Sequence, residues 1–154
     1  MKNISSLSII NLILLSAFSG GCLMVLFVLL PFWQSSTPEV FLNWFAANNK
    51  AIGMTMLPME VLPLIASVVL FFVALRQKKS NIPLWLLTNI CNLIILVMFI
   101  VYFFSANRMM ASGRFPADKV SEELQKWKTI HIARTITSVL AIVFCGLAIK
   151  KADE

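Results

Sequence analysis

Charge is what this chain has least of. Only 13% of its 154 residues are Asp, Glu, Lys or Arg and 59% are apolar, whereas a soluble domain has about 25% charged residues. Such a composition argues for an apolar solvent, not for one large core. The chain also lacks any stretch that is both long and polar, so it has no room for a nucleotide-binding or catalytic domain in water. It has a single histidine, and its three cysteines, Cys22, Cys91 and Cys145, stand alone in separate apolar stretches without a Cys-x-x-Cys pair. Those cysteines read as small buried apolar residues, not as metal ligands. The two halves show no similarity of the kind that marks an inverted-repeat carrier.

What remains is hydrophobic sequence in four blocks, near residues 4–30, 52–75, 83–104 and 129–149. Each is long enough to cross a bilayer as a helix, which takes about 20 residues. The expectation is an all-α membrane protein: a four-transmembrane-helix bundle forming one domain over residues 1–154. The first block follows Lys2 and imitates a signal peptide, but it is too long and no Ala-x-Ala site follows it. It is therefore kept as span 1. Ser16 with Gly20, or Ala17 with Gly21, offers the small-xxx-small spacing that lets helices approach closely.

After span 1, Ser36 and Glu39 have the spacing of a capping box, with Pro38 tolerated in a first turn. A short interfacial helix is predicted there, with Val40, Phe41, Trp44 and Phe45 at helical spacing and Trp33 just before it. Between Pro116 and Gly146 nothing breaks a helix. Span 4 is thus predicted to extend out of the membrane as an amphipathic helix.

The net charge of +6 does not point to nucleic acid, because the basic residues flank apolar runs. Lys2, Arg76, Lys78, Lys79, Lys150 and Lys151 lie next to span ends on the side of the termini. Lys50, Arg108, Arg114, Lys119, Lys126 and Lys128 are spread through longer segments on the other side. The positive-inside rule favours cytoplasmic termini in a cell membrane.

Ionisable groups inside a span cost about 2.5 to 3.5 kcal/mol on insertion scales unless they face a partner or a wet cavity. Glu60, His131 and Arg134 are such groups. Val120, Leu124, Trp127, His131, Arg134 and Ser138 follow at spacings of four and three, so they share one helix face, predicted to point inward. Asn89, Asn92, Leu96, Phe103 and Asn107 form a similar face on span 3, and a buried amide needs a partner. Pro58 and Pro63 deprive the carbonyls of Met54 and Met59 of their usual donors, so span 2 is expected to bend around Glu60. Together these residues predict an outward-opening polar pocket of Glu60, Asn92, Asn107, His131 and Arg134, with Trp127 near its mouth. The bland alternative is a structural ion pair of Glu60 and Arg134, with His131 capping Asn107, and no ligand. Met54, Met56 and Met59 with His131 form a weaker copper candidate, since thioethers suit Cu(I).

The pattern Trp127-x-x-x-His131-x-x-Arg134-Thr135, with Pro31-Phe32-Trp33, Trp44-Phe45, Met56-x-Pro58 and the helix end from Tyr102 to Asn107, resembles the anthrone-oxygenase-like family of small four-helix membrane proteins. The resemblance implies oxidation of a polycyclic phenolic anthrone to a quinone with no metal or flavin cofactor. It would make His131 the proton acceptor, Arg134 the group that stabilises a phenolate and Asn107 the group that orients it. Glu60, Asn92 and Trp127 would then serve ligand binding. The implied partners are membrane lipids and a small lipophilic ligand. The competing classes are a carrier of such a ligand and a structural or accessory membrane subunit.

Overall fold

The computed structural model describes residues 2–152, with side chains from Ser6 onward. Its helices form four long rods. The first, α1, runs through Lys2–Met24, a π-helical turn at Val25–Leu29 and a last segment at Leu30–Ser35. Helix α2 is Pro38–Arg76, and α3 is Ile82–Met110 with a π turn at Phe99–Phe103. Helix α4 is Ala117–Ala152, opening with a 3₁₀ turn at Ala117–Lys119.

All four are long and apolar enough to cross a bilayer, so this is a membrane-embedded protein. Its outer faces carry side chains that water would not tolerate in such number. Phe27 and Val101, for example, are 71% and 74% exposed, as lipid-facing residues should be.

Helix α1 packs on α2 and on α4, and α3 packs on the same two. The bundle is therefore a square in which α1 faces α3 and α2 faces α4 across the diagonals. One end holds the described ends of α1 and α4 and the short α2–α3 turn. The far end holds the α1–α2 and α3–α4 connections. Asn81 Nδ2 donates to the Ala148 carbonyl at 2.9 Å and ties the α2–α3 turn to α4. Ser138 Oγ meets Ser19 Oγ at 3.1 Å between α4 and α1.

The helix foreseen after span 1 is present, but it does not stop. Thr37, not Ser36, is its N-cap and accepts from the Val40 amide at 3.4 Å, while the Ser36 hydroxyl turns back to the Phe32 carbonyl. From there α2 continues through Pro58 and Pro63 for 39 residues as one helix. Phe41 and Phe45 are buried against Trp33 and do not rest among lipid headgroups. Only Val40 and the half-buried Trp44 keep an outward aspect.

The α4 stripe is buried as its spacing predicts, from Val120 and Leu124 through Trp127, His131 and Arg134 to Ser138. On α1 the buried positions recur every three or four residues until Val25, then skip five to Leu30. The π turn there supplies the extra residue that keeps one face inward. The small-xxx-small expectation holds at one position only. A Cβ on Gly21 would lie 2.8 Å from Met56 Sδ, whereas Gly20 is exposed with nothing within 4 Å.

At the end of α2, Lys78 sits at φ 52°, and the Lys79 amide donates to the Ala74 carbonyl at 3.0 Å. This is the left-handed helix ending that glycine usually supplies.

Candidate functional site

Near the far end of the bundle the four helices part around a cleft. Trp33, Glu60, Asn107, Trp127, His131 and Arg134 line it, with Val25, Met56 and Phe99 among its apolar walls. Its unfilled space is about 550 Å³, mouth included. Val25 and Phe99 are the first residues of the two π turns, and such turns occur often where a helix has been adapted to a function.

Glu60, His131 and Arg134 are each held at one polar atom and unpaired at another. Arg134 Nη2 donates to Glu60 Oε2, a direct ion pair between α4 and α2. The guanidinium carbon lies 5.1, 6.0 and 4.9 Å from the ring centres of Phe18, Phe99 and Phe103. These faces add favourable cation–π attraction to a buried cation.

His131 Nε2 lies 3.0 Å from the Cys22 carbonyl oxygen. A carbonyl can only accept, so Nε2 carries the proton and Nδ1 keeps a lone pair. The ring stacks on Trp127 at 4.6 Å between centres and 23° between planes. Trp127 Nε1 in turn donates to Asn107 Oδ1 at 2.9 Å. The histidine is thereby fixed in place and in tautomer by its neighbours, and His131 does not bond to Asn107.

Four buried polar atoms of the lining residues have no hydrogen-bond partner: Trp33 Nε1, Glu60 Oε1, His131 Nδ1 and Arg134 Nε. Two are donors and two are acceptors. An unpaired buried polar atom costs about 1–3 kcal/mol, so four around one cleft mark a place where a polar guest is favoured. The paired Glu60 and Arg134 cancel in charge, and a guest with both donors and acceptors but no net charge matches this lining.

The structure brings together five of the six residues singled out in the sequence: Glu60, Asn107, Trp127, His131 and Arg134. Asn92 is not among the lining residues. Its Nδ2 donates to Ser67 Oγ at 3.1 Å, while Ser67 Oγ donates to Asn89 Oδ1 at 2.8 Å. Asn92 therefore belongs to a separate polar clasp between α2 and α3, about two turns along the helix from Phe99.

The methionine set does not assemble either. Met56 lines the cleft, but Met54 is 68% exposed. Among the described residues no cluster of His, Cys, Asp or Glu is arranged to hold a metal.

Trp33 is the lining residue that spacing alone does not single out. It contacts Phe41, Trp44, Phe45 and Trp127 with ring centres 5.4 to 5.8 Å apart. Trp33, Phe45 and Trp127 of this aromatic cluster form part of the cleft lining. The sequence places Trp33 beside the helix that carries Phe41, Trp44 and Phe45 but does not pair it with Trp127, because only the fold brings those two together. In comparisons with family models, curated proteins and solved structures, nothing matches this chain.

Proposed function

We propose that this protein binds and oxidises a small, neutral, lipophilic molecule of phenolic or quinone-like chemistry in the cleft around His131 and Arg134. The observation that carries this reading is the set of four unpaired polar atoms on residues lining one apolar-walled cleft. Intramembrane ionisable residues are functional by default, and a concave apolar pocket with a few converging polar groups is the usual form of a small-molecule site.

In this reading His131 Nδ1 is the general base and Arg134 Nε–H stabilises the oxyanion that develops when a proton leaves the substrate. Trp127 and Asn107 hold the imidazole, so Asn107 acts by positioning. Dioxygen is the oxidant. The methylene carbon of an anthrone loses two hydrogens and gains one oxygen atom, and the second oxygen leaves with both hydrogens as water. The resemblance to anthrone-oxygenase-like proteins supports this reaction class. The charge pattern supports cytoplasmic termini in a cell membrane, with the cleft toward the outer side.

Purified protein supplied with an anthrone or a hydroquinone in air tests the reading, beside His131→Ala. Loss of a positioned base lowers the rate by about 10²–10⁴, and equal rates would defeat the mechanism.

A second reading, a structural or accessory subunit without a ligand, draws on the ion pair of Glu60 and Arg134, in which the two buried charges balance each other without a guest. Native mass spectrometry of detergent-extracted protein separates the two, because a retained small molecule favours the ligand reading and an empty cleft the accessory one.

A further inference from the structure

The opposite end of the bundle carries a second cleft, of about 340 Å³ with its mouth, where α1, the end of α2 and the start of α3 converge. Asn81, Lys79, Gln77 and Trp85 line it together with the apolar Leu70 and Val73. Asn81 is 4% exposed. Its Nδ2 is committed to the Ala148 carbonyl, and its Oδ1 has no partner. The cleft thus offers a buried acceptor beside a lysine.

Among the described residues the surrounding charge has one sign. Arg76, Lys78, Lys79, Lys150 and Lys151 are all exposed at this end. The acidic side chains among the described residues, Glu39, Glu60, Asp118, Glu122 and Glu123, lie elsewhere in the bundle, and Asp153 and Glu154 fall outside the described residues. An anion is attracted here. An acceptor with no partner asks for a donor, and among five cations an ammonium donor is repelled while a hydroxyl is not.

We infer that this cleft binds the headgroup of an anionic phospholipid that carries a free hydroxyl, of the phosphatidylglycerol type. The phosphodiester lies against Lys79, and the hydroxyl donates to Asn81 Oδ1. The site is independent of the cleft around His131.

Full-length protein in detergent, offered equimolar phosphatidylglycerol, phosphatidylmethanol, phosphatidylethanolamine and phosphatidylcholine, tests the inference by native mass spectrometry of the retained lipid. Phosphatidylmethanol keeps the phosphodiester charge and lacks the hydroxyls. Phosphatidylglycerol should be retained most, phosphatidylmethanol several-fold less, and the zwitterionic lipids least. Lys79→Gln should lower retention of both anionic lipids about fivefold, and Asn81→Leu should erase the difference between them. Equal retention of phosphatidylcholine, or variants that bind like wild type, overturns the inference. Excess glycerol 3-phosphate separates the sources of the phosphate: failure to displace supports a lipid, whereas complete displacement transfers the site to soluble phosphate esters and overturns the lipid assignment. If Asn81→Leu fails to fold for want of the bond to Ala148, the wild-type contrast between phosphatidylglycerol and phosphatidylmethanol still decides.

Discussion

Glu60 and Arg134 are joined by a direct ion pair across a diagonal of the bundle, between two helices that sit at opposite corners of the square. Both are buried, at 5% and 6% exposure. The pair thus links the two helices through the centre, where backbone packing does not reach. It also leaves Glu60 Oε1 and Arg134 Nε unpaired at the cleft.

Removing one partner leaves the other charged and buried, which costs about 3–5 kcal/mol. Arg134→Met should therefore destabilise the protein by that amount in SDS-induced unfolding. The double variant Glu60→Met with Arg134→Met should recover most of the loss, since replacing a buried pair with apolar groups is often close to neutral. An Arg134→Met protein as stable as wild type would show that the pair contributes nothing to the fold.

Asn107→Leu should cost about 1–3 kcal/mol, because it strands the indole N–H of buried Trp127. Combining it with Trp127→Phe should cost less than the sum of the two single changes, as expected for groups in one hydrogen bond. Strict additivity would mean that the bond seen here does not hold His131 in place.

Adjacent glycines on α1 should respond differently to alanine. Gly20→Ala meets open space and should be neutral or stabilising by about 0.5–1 kcal/mol. Gly21→Ala pushes on Met56, whose flexible thioether can yield and in doing so shift the cleft wall. The expected result is near-normal thermal stability with several-fold weaker retention of an anthrone probe. Unchanged retention would place Met56 outside the binding surface.

Lys78→Gly should raise stability by about 1 kcal/mol, since a left-handed backbone costs about 1–2 kcal/mol per non-glycine residue. Reversible unfolding in mixed micelles measures it. A decrease would show that the Lys78 side chain contributes more than its backbone costs.

Much of this architecture was legible from spacing and hydropathy, which are local properties. The four apolar blocks and the inward stripe from Val120 to Ser138 required only helical periodicity and the cost of polar groups in hydrocarbon. The fusion of the interfacial helix with span 2 was not legible. The residues between the expected interfacial helix and span 2 contain no helix breaker, and packing of Phe41 and Phe45 against Trp33 holds the continuous helix in place.

Asn92 lies outside the cleft lining because face membership fixes direction but not height or neighbour. It points inward as expected, but toward Ser67 on the adjacent helix. The π turns at Val25–Leu29 and Phe99–Phe103 were hidden for a related reason. At Val25–Leu29 an ideal 3.6-residue period assigns the wrong face beyond the extra residue, whereas the face through Phe103 and Asn107 stays inward past the turn at Phe99–Phe103.

The unbroken α2 has a mechanical consequence. Its 39 residues make a rod roughly 58 Å long at about 1.5 Å per residue, more than the 40–45 Å or so of a whole bilayer with headgroups. Phe41 and Phe45 near its N-terminal end and Glu60 farther down are parts of one lever. A load applied where the rod leaves the membrane reaches the ion pair without crossing a loop. The compliance of that lever is concentrated at Met54 and Met59, whose carbonyls lose their donors to Pro58 and Pro63. Flexure is therefore focused on the stretch of α2 that walls the cleft.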